Sequence, residues 1–360
     1  MTNRLVPITL FVSLFSAGCE NEPVKHTKHV AAAPAAPTGV VVDAAKLSLF
    51  AALPDKAPPG SNNPPSDEKV SLGRALYYDA RLSKSEALSC NGCHDLAKSG
   101  VDGKDFSEGH GKKKLSRNTP TVFNAALQQS QYWDGHFETL EDATRGMLLD
   151  PAIMAEPEAR LIATLKSIPG YVDAFKKAYP DAPDPVTLDG TVKALAAFTR
   201  TLLTPAPWDQ FLKGTQTALT DEQKKGFTEF VDVGCPTCHV GPLVGATMFQ
   251  KLGKEKPWPN QADKGRSTVT KSPSDDMMFK VSSLRNIELT APYFHDASGK
   301  SLEDAVKQMA SHQLAKDLSD DDVKSIVAWL KSLSGSVPEG LQTKPPEFPS
   351  TAKTPKPDLK

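Results

Sequence analysis

Four of the five cysteines in this 360-residue chain fall in two copies of one pattern, Cys90-Asn91-Gly92-Cys93-His94 and Cys235-Pro236-Thr237-Cys238-His239. Nothing else in the sequence restricts the fold as tightly. Two thiols one helical turn apart, followed by an imidazole, form the attachment signature of c-type haem. Each thiol adds to one vinyl group, and the histidine lies under the iron as proximal ligand. A zinc site would need further cysteines or histidines nearby, and neither pattern has a second Cys pair. A thioredoxin-like dithiol does not require the trailing histidine. Cys90, Cys93, His94, Cys235, Cys238 and His239 are therefore read as the attachment residues of two covalent haem c groups.

The remaining cysteine sits in an export signal. Arg4 gives a short positive region, Leu5 to Ala17 is mostly apolar, and Ser16-Ala17-Gly18-Cys19 resembles a lipoprotein cleavage site. A lipid on Cys19 would tether the chain to a membrane surface without spanning it. The competing reading is an ordinary cleaved signal with an incidental cysteine. Both readings place the protein in the periplasm. The next stretch contains Ala31-Ala32-Ala33-Pro34-Ala35-Ala36-Pro37, which suits a spacer. Net charge is −1, so no electrostatic case exists for a nucleic-acid partner.

The two motifs lie 145 residues apart. We expect a signal peptide over residues 1–18 and an anchor spacer over 19–60. Two haem domains follow, over 61–210 and 211–337, and then a Pro- and Lys-rich surface tail over 338–360. The element signals are helical. Ser66 is placed to cap a helix from Asp67 to about Tyr78, and Thr220 with Gln223 forms a capping box. Leu302 to Ser311 reads as an amphipathic helix. Val323, Ile326, Val327 and Leu330 recur at helical spacing after Ser319. No run of alternating strands appears. The expected fold is all-α: two cytochrome c-like haem domains packed against one another.

Each iron needs a sixth ligand or an open position. His110 lies in Ser107-Glu108-Gly109-His110-Gly111, where flanking glycines would let it bind iron in one state and leave in another. The bland alternative is a solvent-facing loop histidine. Met309 is a candidate thioether ligand for the second iron, and the bland alternative there is core packing.

The chain resembles the bacterial di-haem cytochrome c peroxidases over roughly residues 64–335. The resemblance rests on the first motif, Gly109-His110-Gly111, Ser116-Arg117-Asn118-Thr119-Pro120-Thr121-Val122-Phe123-Asn124 and Tyr132-Trp133-Asp134-Gly135. It continues through Leu284-Arg285-Asn286 and Thr290-Ala291-Pro292-Tyr293-Phe294-His295. It implies that the first haem reduces hydrogen peroxide and the second accepts electrons from a small cytochrome c or cupredoxin. His110 would be the displaceable distal histidine, Met309 the axial methionine and Trp133 an electron relay, although Trp is also a common packing residue. Asn118, Thr290 and Pro292 would hold a calcium ion between the domains. Such proteins are often homodimers.

One departure bears on rate. The family carries a distal glutamate and, ten residues earlier, a glutamine. Ile153 and Ala143 stand at those positions. Losing acid–base help commonly removes a factor of about 10²–10⁴. Two other functions are therefore weighed: an electron-transfer or peroxide-sensing cytochrome, favoured by Ile153 and Ala143, and an oxidase of a protein substrate. Relatives of the latter type carry Tyr at the Met309 position, so Met309 argues against it.

Overall fold

The computed structural model describes residues 39–338 and 340–360. The export signal, Cys19 and the spacer up to residue 38 lie outside the described residues. Eight helices of nine residues or more make up the body: α1 Asp67–Tyr77, α2 Leu140–Leu149, α3 Glu158–Lys166, α4 Pro169–Ala178, α5 Leu188–Thr199, α6 Asp221–Val233, α7 Leu302–Leu314 and α8 Asp320–Lys331. Local chemistry fixes their starts. The Ser66 hydroxyl accepts from the Lys69 N–H, and reciprocal caps close Thr220 with Gln223 and Ser319 with Asp322. The fifth helix begins at Leu188, where the Thr187 hydroxyl accepts from the Gly190 N–H. One small sheet was not expected. Strands β1 (Phe249–Lys251) and β2 (Met278–Lys280) pair antiparallel, with Phe249 opposite Lys280.

Two apolar clusters organise the helices. The first gathers Leu72 and Leu76 of α1 with Val192, Leu195 and Phe198 of α5, and Cys90 packs against it. The second gathers Phe227 and Phe230 of α6 with Ile326, Trp329 and Leu330 of α8, and Cys235 packs against it. Both helix pairs cross at a glycine. A Cβ on Gly73 would lie 2.0 Å from the Ala194 carbonyl oxygen, and one on Gly226 would lie 1.7 Å from that of Ser325. Only a residue without a side chain permits that approach.

The similarity of the halves extends to a repeat that the sequence reading missed. Asn124 and Asn286 are 162 residues apart, and both adopt φ 59°. With the same offset, Tyr132 and Phe294 have φ 69° and 70°. Gln131 bridges Phe137 as Tyr293 bridges Gly299. Thr139 caps α2 as Ser301 caps α7. Leu140-Glu141-Asp142-Ala143 is identical to Leu302-Glu303-Asp304-Ala305.

The tail runs along the surface of the first half. The Phe348 ring stacks edge-on at 4.9 Å from Tyr171. Arg81 donates to the Phe348 carbonyl at 3.0 Å, and Lys84 pairs with Asp358 at 3.2 Å.

Candidate functional site

The first motif opens with one helical turn, Cys90–Cys93, and the second with a tighter turn, Cys235–Thr237. Both turns bring the two thiols onto one side. The four cysteines are free. Burial pushes the Cys90 and Cys235 thiols up to about 12. Buried, protonated thiols lack the reactivity of a redox dithiol.

Each motif histidine is oriented through one nitrogen. His94 Nδ1 lies 3.3 Å from the Gly100 carbonyl, and His239 Nδ1 lies 3.1 Å from the Val244 carbonyl. A donor Nδ1–H fixes the tautomer and leaves Nε2 with a lone pair for a metal. Burial holds both imidazoles below their usual value, so both are neutral ligands at neutral pH. Tyr77 donates to the His94 carbonyl at 2.6 Å and ties the first motif to α1.

A cavity of about 290 Å³ lies beside the second motif. Cys235, Cys238, His239 and Met309 line it together, so the structure brings the expected methionine to the same space as the motif histidine. Leu284, Ile287, Val306 and Leu330 add apolar wall. An apolar enclosure with one neutral imidazole and one thioether suits an iron porphyrin. Asn118, Trp133, Thr290 and Pro292 line the same cavity. Trp133 is held from both ends: its Nε1–H donates to the Asn118 carbonyl at 2.8 Å, and its own carbonyl accepts from the Lys280 N–H at 2.8 Å. Among the described residues, no group of three or more His, Cys, Asp or Glu side chains stands ready for a metal.

His110 stands apart from that cavity. Its N–H donates to the Ile153 carbonyl at 2.8 Å, and its Nε2 lies 3.1 Å from the Lys360 carbonyl. The flanking glycines serve different ends. A Cβ on Gly109 would lie 1.9 Å from the Ala152 carbonyl oxygen, so this position needs a close approach, whereas Gly111 takes φ 65°. The loop that carries His110 is thus laid against residues 150–153. Ile153 packs beside the first apolar cluster, and Ala143 is buried. Of the nearby acids, Glu156 is paired with Arg160 at 2.8 Å, and Asp150 accepts from the Ala152 N–H.

Three features escaped the sequence reading. Lys280 is buried, and its Nζ donates to Ser130 O at 2.6 Å and to Gln128 Oε1. Burial pulls its ammonium down to about 7. His295 stacks on Phe279 at 4.3 Å, with its Nε2 buried and unpartnered. Arg117 makes a forked pair to Asp263 at 2.6 and 2.8 Å and a third bond to Asp134 at 2.6 Å. No local pattern marks any of these. The repeat marks His295 only by aligning it with Trp133.

The helical halves and their paired Cys-x-x-Cys-His motifs define the class: an all-α protein of two cytochrome c-like domains. A family model for di-haem cytochrome c peroxidase matches residues 67–217. The chain is 42% identical over 316 residues to cytochrome c551 peroxidase of Pseudomonas aeruginosa, which covers 86% of this chain and 90% of that protein. It is 30% identical over 303 residues to methylamine utilization protein MauG of Methylorubrum extorquens, covering 81% and 85%. A crystal structure of a MauG-like protein associated with microbial copper homeostasis superimposes with a TM-score of 0.71 at 26% identity, covering 85% of this chain and 98% of that one. The chain belongs to the di-haem cytochrome c peroxidase family, whose members carry two haem c groups.

Proposed function

We propose that this protein reduces hydrogen peroxide to water with two electrons and two protons, using haem c attached at Cys90, Cys93 and His94 and at Cys235, Cys238 and His239. The observation that carries the reading is the shared cavity, where His239 and Met309 face one space and Trp133 forms part of the wall. The porphyrin irons supply the redox chemistry. The chain supplies neutral proximal imidazoles, an apolar enclosure and a rigid aromatic path. Electrons from a small periplasmic cytochrome or cupredoxin would enter at the second centre, where a Met309 thioether would favour the reduced iron. Trp133 would be the relay toward the first centre. His110 would be the displaceable distal ligand, on a loop that would rearrange on reduction of the second centre and leave the first open to peroxide.

Calcium fits at Asn118, Thr290 and Pro292, because an ion held there would take amide and backbone oxygens instead of a carboxylate cluster. Lipid on Cys19 would tether the protein at a periplasmic membrane face, and a homodimer accords with the family.

A second reading is favoured by one observation: Ile153 and Ala143 leave the positions of the family's distal glutamate and glutamine apolar. A slow peroxidase that acts mainly in electron transfer or peroxide sensing fits that substitution.

The test is H₂O₂-dependent oxidation of a reduced small cytochrome by haem-loaded, half-reduced protein with calcium present. Rapid turnover abolished by His239→Ala or Trp133→Ala supports the peroxidase. Negligible turnover with both haems intact supports the second reading.

A further inference from the structure

The repeat places a second methionine. Helix α2 corresponds to α7 in register through its cap, its Leu-Glu-Asp-Ala start and the positive-φ turn before it. Asp134 accepts from the His136 N–H as Asp296 accepts from the Ser298 N–H, at 3.0 and 3.2 Å. Gly135 and Ala297 share positive φ, 66° and 56°. No insertion separates Asn124 from Met147 or Asn286 from Met309, so Met147 occupies in the first half the place that Met309 occupies in the second.

The helical faces agree as well. Met309 lies seven residues after Leu302 and four after Ala305, and Met147 lies seven after Leu140 and four after Ala143. Residues so spaced share one face of a helix. The anchors are equally buried: Leu140 and Leu302 are each 8% exposed, and Ala143 and Ala305 are 6% and 8%. Met147 and Met309 are both half-buried. The next residue, Leu148, belongs to the apolar cluster against which Cys90 packs. Helix α2 thus contributes to the same apolar cluster as the first motif, as Leu302 and Ala305 of α7 contribute to the cluster against which Cys235 packs. The His110 backbone N–H meanwhile donates to the Ile153 carbonyl, and its ring Nε2 lies against the tail carbonyl of Lys360.

We propose that Met147 is the sixth ligand of the first iron in the reduced protein, making that centre His94/Met147 as the second is His239/Met309. The proposal rests on the two-haem reading of the site. A thioether raises the potential of its iron. It would also close the position peroxide needs, and Ala143 and Ile153 supply no proton-transfer group there. Sulfur donates a lone pair and no bond is broken, so ligation is reversible.

The experiment is proton NMR of the fully reduced, haem-loaded protein. A methyl bound over a porphyrin face is shielded by the ring current and resonates far upfield of ordinary methyls. Wild type is expected to give two such methionine signals. Met147→Leu should remove one, Met309→Leu the other, and Met154→Leu neither. One upfield signal in wild type, or two that both survive Met147→Leu, overturns the proposal. Should Met147→Leu fail to load both haems, the wild-type count together with Met154→Leu decides. Haem content from the alkaline pyridine spectrum tests the two-haem premise separately. Absence of peroxide turnover would bear on the proposed function and not on this ligation.

Discussion

Asn124 and Asn286 donate their side-chain amides to one oxygen, the Thr204 hydroxyl, at 2.7 and 2.8 Å. The two asparagines start equivalent turns in the two halves, and Thr204 lies in the connection between α5 and α6 with no exposed surface. Asn124 also accepts from the Thr204 N–H, and Asn286 accepts from the Gly335 N–H. The repeat is therefore joined at its own symmetric points. Thr204→Val keeps the shape and removes the acceptor, which leaves two buried donors unpaired. Each costs about 1–3 kcal/mol, so a loss of about 2–6 kcal/mol in denaturant melts is expected, with haem content unchanged. A melt equal to wild type would show that the shared hydroxyl is not a joint.

The crossing glycines give a sharper contrast. Gly73→Ala and Gly226→Ala force a methyl into a backbone carbonyl, and overpacking of this kind costs typically about 1–3 kcal/mol or more. Gly92→Ala, inside the first attachment motif, meets nothing nearer than 3.8 Å. It should fold and load haem normally. Thermal melts and haem yield of the three variants check the ranking.

Acid should act through the Arg117 bridge. Burial alone would raise the Asp263 carboxyl, but the hydrogen bonds from Arg117 outweigh it and hold the group below its ordinary value. A depressed folded-state value means stability that is present above the unfolded value of about 3.9 and lost as pH falls through the folded one. Asp263→Asn should be less stable than wild type at neutral pH. The difference should shrink on acidification below about pH 4. A constant difference across that range in thermal melts would remove Asp263 from the account.

Restoring the family's acid–base group tests the first pocket. If the Met147 ligation proposed for the reduced protein persists in turnover, Ile153→Glu alone is expected to change peroxide turnover little. Added to Met147→Leu, it should raise turnover by about 10²-fold over that parent, the lower end of the usual acid–base contribution. Steady-state oxidation of a reduced cytochrome reads both. Equal gains in the two backgrounds would mean that the iron was open from the start.

The tail makes its own prediction. Phe348 covers Gly170 and Tyr171, and a Cβ on Gly170 would lie 2.4 Å from the Phe348 ring. Phe348→Ala should cost about 2–3 kcal/mol, less than a fully buried ring, and expose residues 341–360 to proteolysis. A tail that resists cleavage in the variant would assign its anchoring to Arg81 and Lys84 instead.

The two Cys-x-x-Cys-His motifs and most helix starts were legible in the sequence, because each depends on residues within a few positions of one another. Thiol spacing is set by one helical turn, and a cap by a hydroxyl reaching three residues on. The candidate roles of Met309, Trp133 and His110 came from likeness to a family and not from spacing. The structure brought Met309 and Trp133 to one cavity and laid His110 against Ile153 and the tail. Lys280, His295 and the Arg117 bridge could not be read from the chain, since their partners lie far away in sequence and leave no periodic trace. The repeat was present as one identical tetrapeptide among dissimilar residues. Only the backbone angles at Asn124 and Asn286 revealed it, because a turn preserves its φ values while its side chains diverge.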